Sequence, residues 1–365
     1  MAIRFNADAW NRMRENYGRW WAGELKRPLI HMTLTGADPG RPPSELPAYG
    51  FTSRYDLSIP AEKVIDAWDY TLSANRYLGD GFPCVWPNFG AGVAAAFMGA
   101  TLTAREDTTW FHPEEVKEIT HLSFAYDPDN VWLGRVKDIC RAGIEYWQGA
   151  VQIGMTDIGG ALDILSTFRP SESLILDTCM YPEEVKKLTW DIHELWWKYF
   201  EEIDRVLQPV NPGYTAWTPI LSEQSYYMLQ CDFCYMLGPD MFEDLVKPEL
   251  AASCKILVNP FYHLDGPGQL VHLDSILEID ELKGIQWVPG AGQPDCSGWP
   301  EVYKKIRDAG KLIQLVDADM KMFDTVAEQL GSAEGLIAFM SFDISRQREA
   351  AEFLEKYGAP ASSVA

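Results

Sequence analysis

The sequence predicts an α/β fold, a (β/α)8 TIM barrel forming one domain over 1–365 with a helical extension over 1–27. Two observations predict it. Eight short apolar runs recur at 28–36, 83–90, 150–159, 213–222, 259–266, 284–290, 311–319 and 335–343, followed by loops rich in Gly, Pro or Asp. Most lack the strict alternation of a half-exposed strand, which is the pattern of strands buried on both faces of a parallel sheet. Longer patterns of helical period separate them, over 61–78, 183–207, 239–258, 270–282, 299–309 and 320–330, with 345–357 closing the series. Eight such alternations are the number that closes a barrel.

Taken in order, the helical extension at 7–25 is expected to lie across the barrel. The first run, PLIHMTLTG, is followed by a proline-rich stretch at 39–55 that reads as a loop insertion. The early units are stretched, and from Gly213 onward the spacing tightens to the barrel norm. An open doubly wound sheet also alternates strand and helix, but it would offer a glycine-rich phosphate turn early in the chain to suggest a nucleotide. Gly290-Ala291-Gly292-Gln293-Pro294 comes too late and runs into proline, so it reads as a tight turn.

Hydrophobic residues make up 47% and charged residues 23%, the usage of a packed globular chain and not of a disordered or collagen-like one. The 53 acidic against 31 basic residues leave a net charge of −22, which disfavours nucleic acid and an anionic membrane surface as partners. No apolar run reaches the roughly 20 residues needed to span a bilayer. The start, MAIRFNAD, has no basic stretch ahead of an apolar core, so a cytoplasmic location is expected. Seven cysteines are too few for a disulfide framework, and Cys231-Asp232-Phe233-Cys234, the lone CxxC, is a weak metal or redox signal.

In a barrel, reacting groups gather where strands end at the carboxyl-terminal rim. That rule selects Asn88, Asp157, Glu223, His263, Asp265, Gln286, Asp317, Asp319 and Asp343. An acidic residue after a strand often caps the next helix, and Asp157, Asp317 and Asp319 carry that reading equally. Tyr262-His263-Leu264-Asp265-Gly266-Pro267-Gly268 is more specific: strand alternation puts His263 and Asp265 on one face, and Gly-Pro-Gly ends the strand sharply. An imidazole beside a carboxylate can hold a metal or pass a proton. A structural His–Asp hydrogen bond supporting the turn is the competing reading. Glu223 and Asp343, ending the fourth and eighth runs, are expected to approach the pair, so that His263, Asp265 and Asp343 form a candidate nitrogen and oxygen ligand set for zinc or a harder ion. Trp86, Trp217 and Trp287 are candidate pocket walls, of which one is expected to line the site, with Asn88, Asp157 and Gln286 as polar substrate contacts. His272 and Asp274 read as capping or surface residues, and Trp190, Trp196 and Trp197 as helix packing or a subunit contact, with a homodimer as a candidate assembly.

The segment from Cys231-Asp232-Phe233 through Gly238-Pro239-Asp240-Met241-Phe242-Glu243 to Val246-Lys247-Pro248, together with His263-Leu264-Asp265-Gly266, resembles the uroporphyrinogen decarboxylase superfamily. That resemblance covers about 150 residues of the carboxyl-terminal half. It implies a (β/α)8 barrel and one of two activities, decarboxylation of a porphyrinogen or cobalamin-dependent methyl transfer. The Arg-Gln-Ala-Gly-Arg motif by which the decarboxylases grip carboxylates is missing; Arg12, Arg14 and Arg19 match it in type but not in pattern. The methyltransferase branch holds zinc with His-x-Cys and a second Cys at the end of the last strand. Here His263 is in place, Asp265 stands where the first Cys would be, and Asp343, 78 residues later, stands where the second is expected. Carboxylates in place of thiolates make a thiol methyl acceptor unsuited. The resemblance therefore implies transfer of a methyl group from a small O- or N-methyl donor, a methoxyaromatic or a methylamine, to a corrinoid (cobalamin) on a separate carrier protein. His263, Asp265, Glu223 and Asp343 are the expected catalytic groups. The alternatives are a decarboxylase, a glycoside hydrolase using Glu223 and a second carboxylate, and a barrel that only binds a tetrapyrrole or serves as a scaffold.

Overall fold

The computed structural model describes Ile3 and residues 5–362, and strands form in seven of the eight apolar runs. In chain order the strands are β1 (Leu29–Thr35), β2 (Arg76–Gly79), β3 (Cys84–Val85), β4 (Thr101–Ala104), β5 (Thr109–His112), β6 (Gln152–Ile153), β7 (Tyr226–Gln230), β8 (Asn259–Asp265), β9 (Gly284–Val288), β10 (Leu312–Leu315) and β11 (Leu336–Asp343). One sheet runs β2-β1-β11-β10-β9-β8-β7, and every pairing in it is parallel except that of β1 with β2. A parallel pair, β3 with β6, and an antiparallel hairpin, β4 with β5, stand apart from that ladder. The result is a mixed α/β fold on a parallel sheet. Among the described residues the strand ladders do not close on themselves, although eight parallel strands are the number a barrel uses.

The fourth strand is not where the fourth apolar run lies. The run at 213–222 is irregular, pinched by an antiparallel bridge between Tyr214 and Ser222, because Pro219 offers no N–H and threonines break the apolar sequence. The strand forms instead at Tyr226–Gln230, whose five residues are all buried. Two helical patterns also end early. The one over 61–78 is helix only across Ala61–Ser73, and its tail becomes β2 on the edge of β1. The one over 239–258 divides into Pro239–Leu245 and Lys247–Ile256, because Pro248 cannot supply a backbone N–H to continue the first helix.

The amino-terminal extension is the helix Ala7–Trp21, which buries Trp10, Met13, Tyr17 and Trp20. It packs on residues before or early in the strands: Trp10 on Phe82, Trp20 on Phe261, and Trp21 Nε1 donating to Leu221 O at 2.9 Å. Fully buried Asp80 ties this end together, accepting from Arg27 Nη1 at 2.6 Å, Arg27 Nη2 at 2.8 Å, Asn16 Nδ2 at 2.9 Å and Ile30 N at 3.1 Å. A buried carboxylate is stable only with such a complete set of donors. With the starts of the strands covered in this way, the open face is at their carboxyl ends. No helix among the described residues is long and apolar enough to cross a membrane.

Candidate active site

A polar row crosses four neighbouring strands. Gln230 on β7, His263 on β8, Gln286 on β9 and Gln314 on β10 are successive register partners, so their side chains share a face. Two residues further along, Asp265 ends β8 on that same face, and Asp232 opens the short helix that follows β7. The ligand atoms of Asp232, His263 and Asp265 all lie within 4.8 Å of one another. Asp232 is exposed, and the other two are half-buried.

His263 is held on both sides. Its Nδ1 is bonded to Oε1 of buried Gln286, which can only accept, so Nδ1 carries the hydrogen and Nε2 keeps its lone pair. The ring of Trp217 packs edge-to-face on it at 5.2 Å. Burial lowers the His263 pKa, against the opposing pull of the Gln286 bond and of Asp265, so the ring is neutral at neutral pH and fit to bind a cation.

The carboxylates around it crowd one another. Asp163, in the first turn of the helix Ala161–Phe168, accepts from the backbone N–H of Asp232 at 3.0 Å and of Phe233 at 2.7 Å. Asp157 Oδ1 accepts from Gly159 N at 2.9 Å and, more weakly, Gly92 N at 3.4 Å. Gly159 has φ of +84° and a Cβ there would collide with Gly92, so the tight turn requires glycine. Burial is the largest cause for Asp157, pushed up to about 7 against the two N–H bonds, and for Asp163, raised with help from Asp232; Asp232, exposed as a residue, is raised by the protein packed around its carboxyl group, with help from Asp265 and Asp157. A cavity of about 410 Å³ opens beside them, lined by Asp163, Asp232, Gln230, Phe233, Met236 and Trp110 among others, and among the described residues no Lys or Arg lines it.

The remaining expected residues fall elsewhere. Glu223 precedes β7 and so lies at the amino-terminal ends of the strands, half-exposed and 3.7 Å from Arg14; misplacing the fourth strand had put it at the rim. Asp343 does not join the cluster. It is exposed at the end of β11 and its carboxylate accepts from Ser345 N at 2.9 Å, capping the turn Ile344–Arg346. Asn88 ties two loops together, accepting from Gly90 N at 3.0 Å and donating to Gly50 O at 2.8 Å. Trp287 has the opposite parity to Gln286 and is fully buried against Trp299, away from His263. Trp86 is half-buried close to Gly154. Of the three tryptophans, Trp217 is the one beside His263. Asp319 caps the helix Met320–Leu330, and His272 is buried on Phe242 with Nε2 bonded to Cys234 O at 3.0 Å, not at the surface. All seven cysteines are free, and Cys231 and Cys234 are buried around one short turn.

Asp232 is the residue that sequence reasoning passed over, although its segment carried the family likeness. The strand at 226–230 was the missing signal, since it places 232 level with 265. The position of Glu223 has a direct consequence. Glu223→Gln is expected to change melting stability by less than about 1 kcal/mol, the value of a surface ion pair, and to leave any activity intact. Loss of hydrolysis of aryl glycosides in this variant would restore Glu223 as a catalytic group.

No family model matches the chain, and no curated protein matches its sequence. Among solved structures it is similar to a methyltransferase from Methanosarcina mazei, with a TM-score of 0.58 at 13% identity, covering 90% of this chain and 93% of that one. At that identity the likeness is one of fold.

Proposed function

We propose that the chain is a methyltransferase that moves a methyl group from a small O- or N-methyl donor to a corrinoid on a partner protein. The accompanying fold reading is a (β/α)8 barrel, in a cytoplasmic protein. The observation that carries it is the grouping of Asp232, His263 and Asp265 at the carboxyl ends of adjacent strands, with Asp232 on the wall of a cavity of about 410 Å³. The shared fold with a methyltransferase supports the same reading, as does the resemblance of 231–248 and 263–266 to the uroporphyrinogen decarboxylase superfamily.

The residues fit a divalent ion. One imidazole nitrogen and two carboxylates are a three-ligand set of the kind that leaves a position open for substrate, and Gln286 orients the imidazole as outer partners of metal-bound histidines do. Asp232, His263 and Asp265 would hold zinc or a related ion, which when bound supplies Lewis acidity to the atom losing its methyl group. The chain's own residues do the rest. Phe233, Met236 and Trp110 give the cavity apolar walls suited to a compact donor. Without an ion, Asp232 has a raised pKa on the cavity wall and can hand a proton to a leaving oxygen. The missing Lys and Arg lining leaves a polyanionic porphyrinogen without counter-charges, which weighs against decarboxylation.

The test is anaerobic incubation of the protein with a cob(I)alamin carrier protein and a panel of methoxyaromatics and methylamines. Methylcobalamin is expected to form, followed by its absorption spectrum, from at least one donor. None with any donor, using protein loaded with zinc or cobalt(II), would overturn the assignment.

A further inference from the structure

We propose that Asp163 is the positioning residue of this site, a carboxylate bracket that fixes Asp232 opposite His263 and Asp265. The inference rests on reading those three residues as the cation site. Asp232 is not on a strand: β7 ends at Gln230, and the chain turns at once into the short helix Asp232–Met236, whose amino end has no capping side chain of its own. The unpaired N–H groups at a helix start need an acceptor. Asp163 supplies it from another element, Oδ2 taking the N–H of Asp232 at 3.0 Å and Oδ1 that of Phe233 at 2.7 Å.

The geometry uses both oxygens, which restricts the residue type. An asparagine has one acceptor oxygen and one donor amide, so it cannot give each N–H its own oxygen and points an NH2 where one of the two carboxylate oxygens now accepts. The helix carrying Asp163 is itself set against the end of β7. A Cβ at Gly160, the residue before that helix, would come within 3 Å of both Gln230 O and Asp163 Oδ2. Gly160 therefore lets the bracket approach, and Asp163 closes it.

The experiment compares wild type, Asp163→Asn, Asp163→Glu and Gly160→Ala by cobalt(II) titration, the visible spectrum of the bound cobalt(II), and amide hydrogen exchange at residues 231–236. Asp163→Asn is expected to weaken cobalt(II) binding about 10- to 100-fold, the usual effect of an outer partner of a metal site, to change the cobalt(II) spectrum, and to speed exchange of the Asp232 and Phe233 amides. Asp163→Glu, which keeps two acceptor oxygens, is expected to recover part of the binding. Gly160→Ala, which spreads the same contact, is expected to shift binding and exchange in the same direction if Asp163→Asn does not fold. Unchanged affinity, spectrum and exchange in the folded Asp163→Asn protein would overturn the bracket while leaving the cation site standing. Wild type that binds no cobalt(II) would overturn the cation site. The exchange of the two amides would then decide the bracket alone, faster exchange in Asp163→Asn upholding it and unchanged exchange overturning it.

Discussion

Replacing Asp232 with alanine is expected to lower zinc or cobalt(II) affinity by more than about 100-fold, beyond the range that outer partners of a metal site produce, and to abolish methyl transfer. His263→Ala should do the same. Asp232 is one of three ligand groups within 4.8 Å, and losing one leaves two, too few to hold a divalent ion against water. Competition with a chromophoric chelator measures the affinity directly. Wild-type affinity retained in Asp232→Ala would remove Asp232 from the ligand set.

The same site fixes the sign of a second readout. Burial and the charges of Asp265 and Asp157 raise Asp232, so ionising it in the metal-free protein works against folding. Asp232→Asn removes that repulsion and should raise the melting temperature without metal, while saturating metal at 100 Kd should stabilise wild type by about 2.7 kcal/mol and the variant hardly at all. Stability and binding then move in opposite directions, as expected of a functional site held at a cost to the fold. A variant less stable than wild type without metal would show that Asp232 is a structural group.

His263 and Asp265 were legible in the sequence because both depend on a single feature, period-two alternation along a strand that Gly-Pro-Gly cuts off. The third group was not, because Asp232 follows a five-residue strand between Ser225 and Cys231, where a short apolar run is easily assigned to the turn after it. Choosing the run at 213–222 as the fourth strand then carried Glu223 to the wrong end of the sheet. Asp343 failed for another reason. Following the register from His263 through Gln286 and Gln314 leads to Ile337 on β11, six residues short of Asp343. Spacing along the chain cannot reveal that offset, since it depends on how each strand is staggered against the next. Gln286 was expected at the site and is there, but its carbonyl oxygen is taken by His263. Such a role is set by a neighbouring strand and is invisible in its own segment.

The stability that Asp157 contributes to the metal-free protein is expected to fall as pH rises from about 4 to above 7, and the gain of Asp157→Asn over wild type should grow across that range. Burial pushes Asp157 up to about 7 from an ordinary value of 3.8. A carboxyl group raised in the folded state binds its proton more tightly there than in the unfolded chain, so its contribution is fully present below the unfolded value. It is lost as pH climbs through the folded value. For a buried group shifted this far the loss approaches about 4 kcal/mol, at 1.36 kcal/mol per unit. Asp163 and Asp232 are raised as well, each to about 7, and act with the same sign, whereas burial lowers His31 and acts with the opposite sign, so the difference between variant and wild type isolates Asp157. Asparagine keeps an oxygen for the Gly159 N–H and carries no charge, so the variant should be the more stable protein at pH 8 and nearly equal to wild type at pH 4. Urea unfolding at the two pH values measures the difference. An Asp157→Asn protein weaker than wild type at pH 8 would mean that the Gly92 and Gly159 N–H groups hold the carboxylate ionised and that burial does not decide its charge.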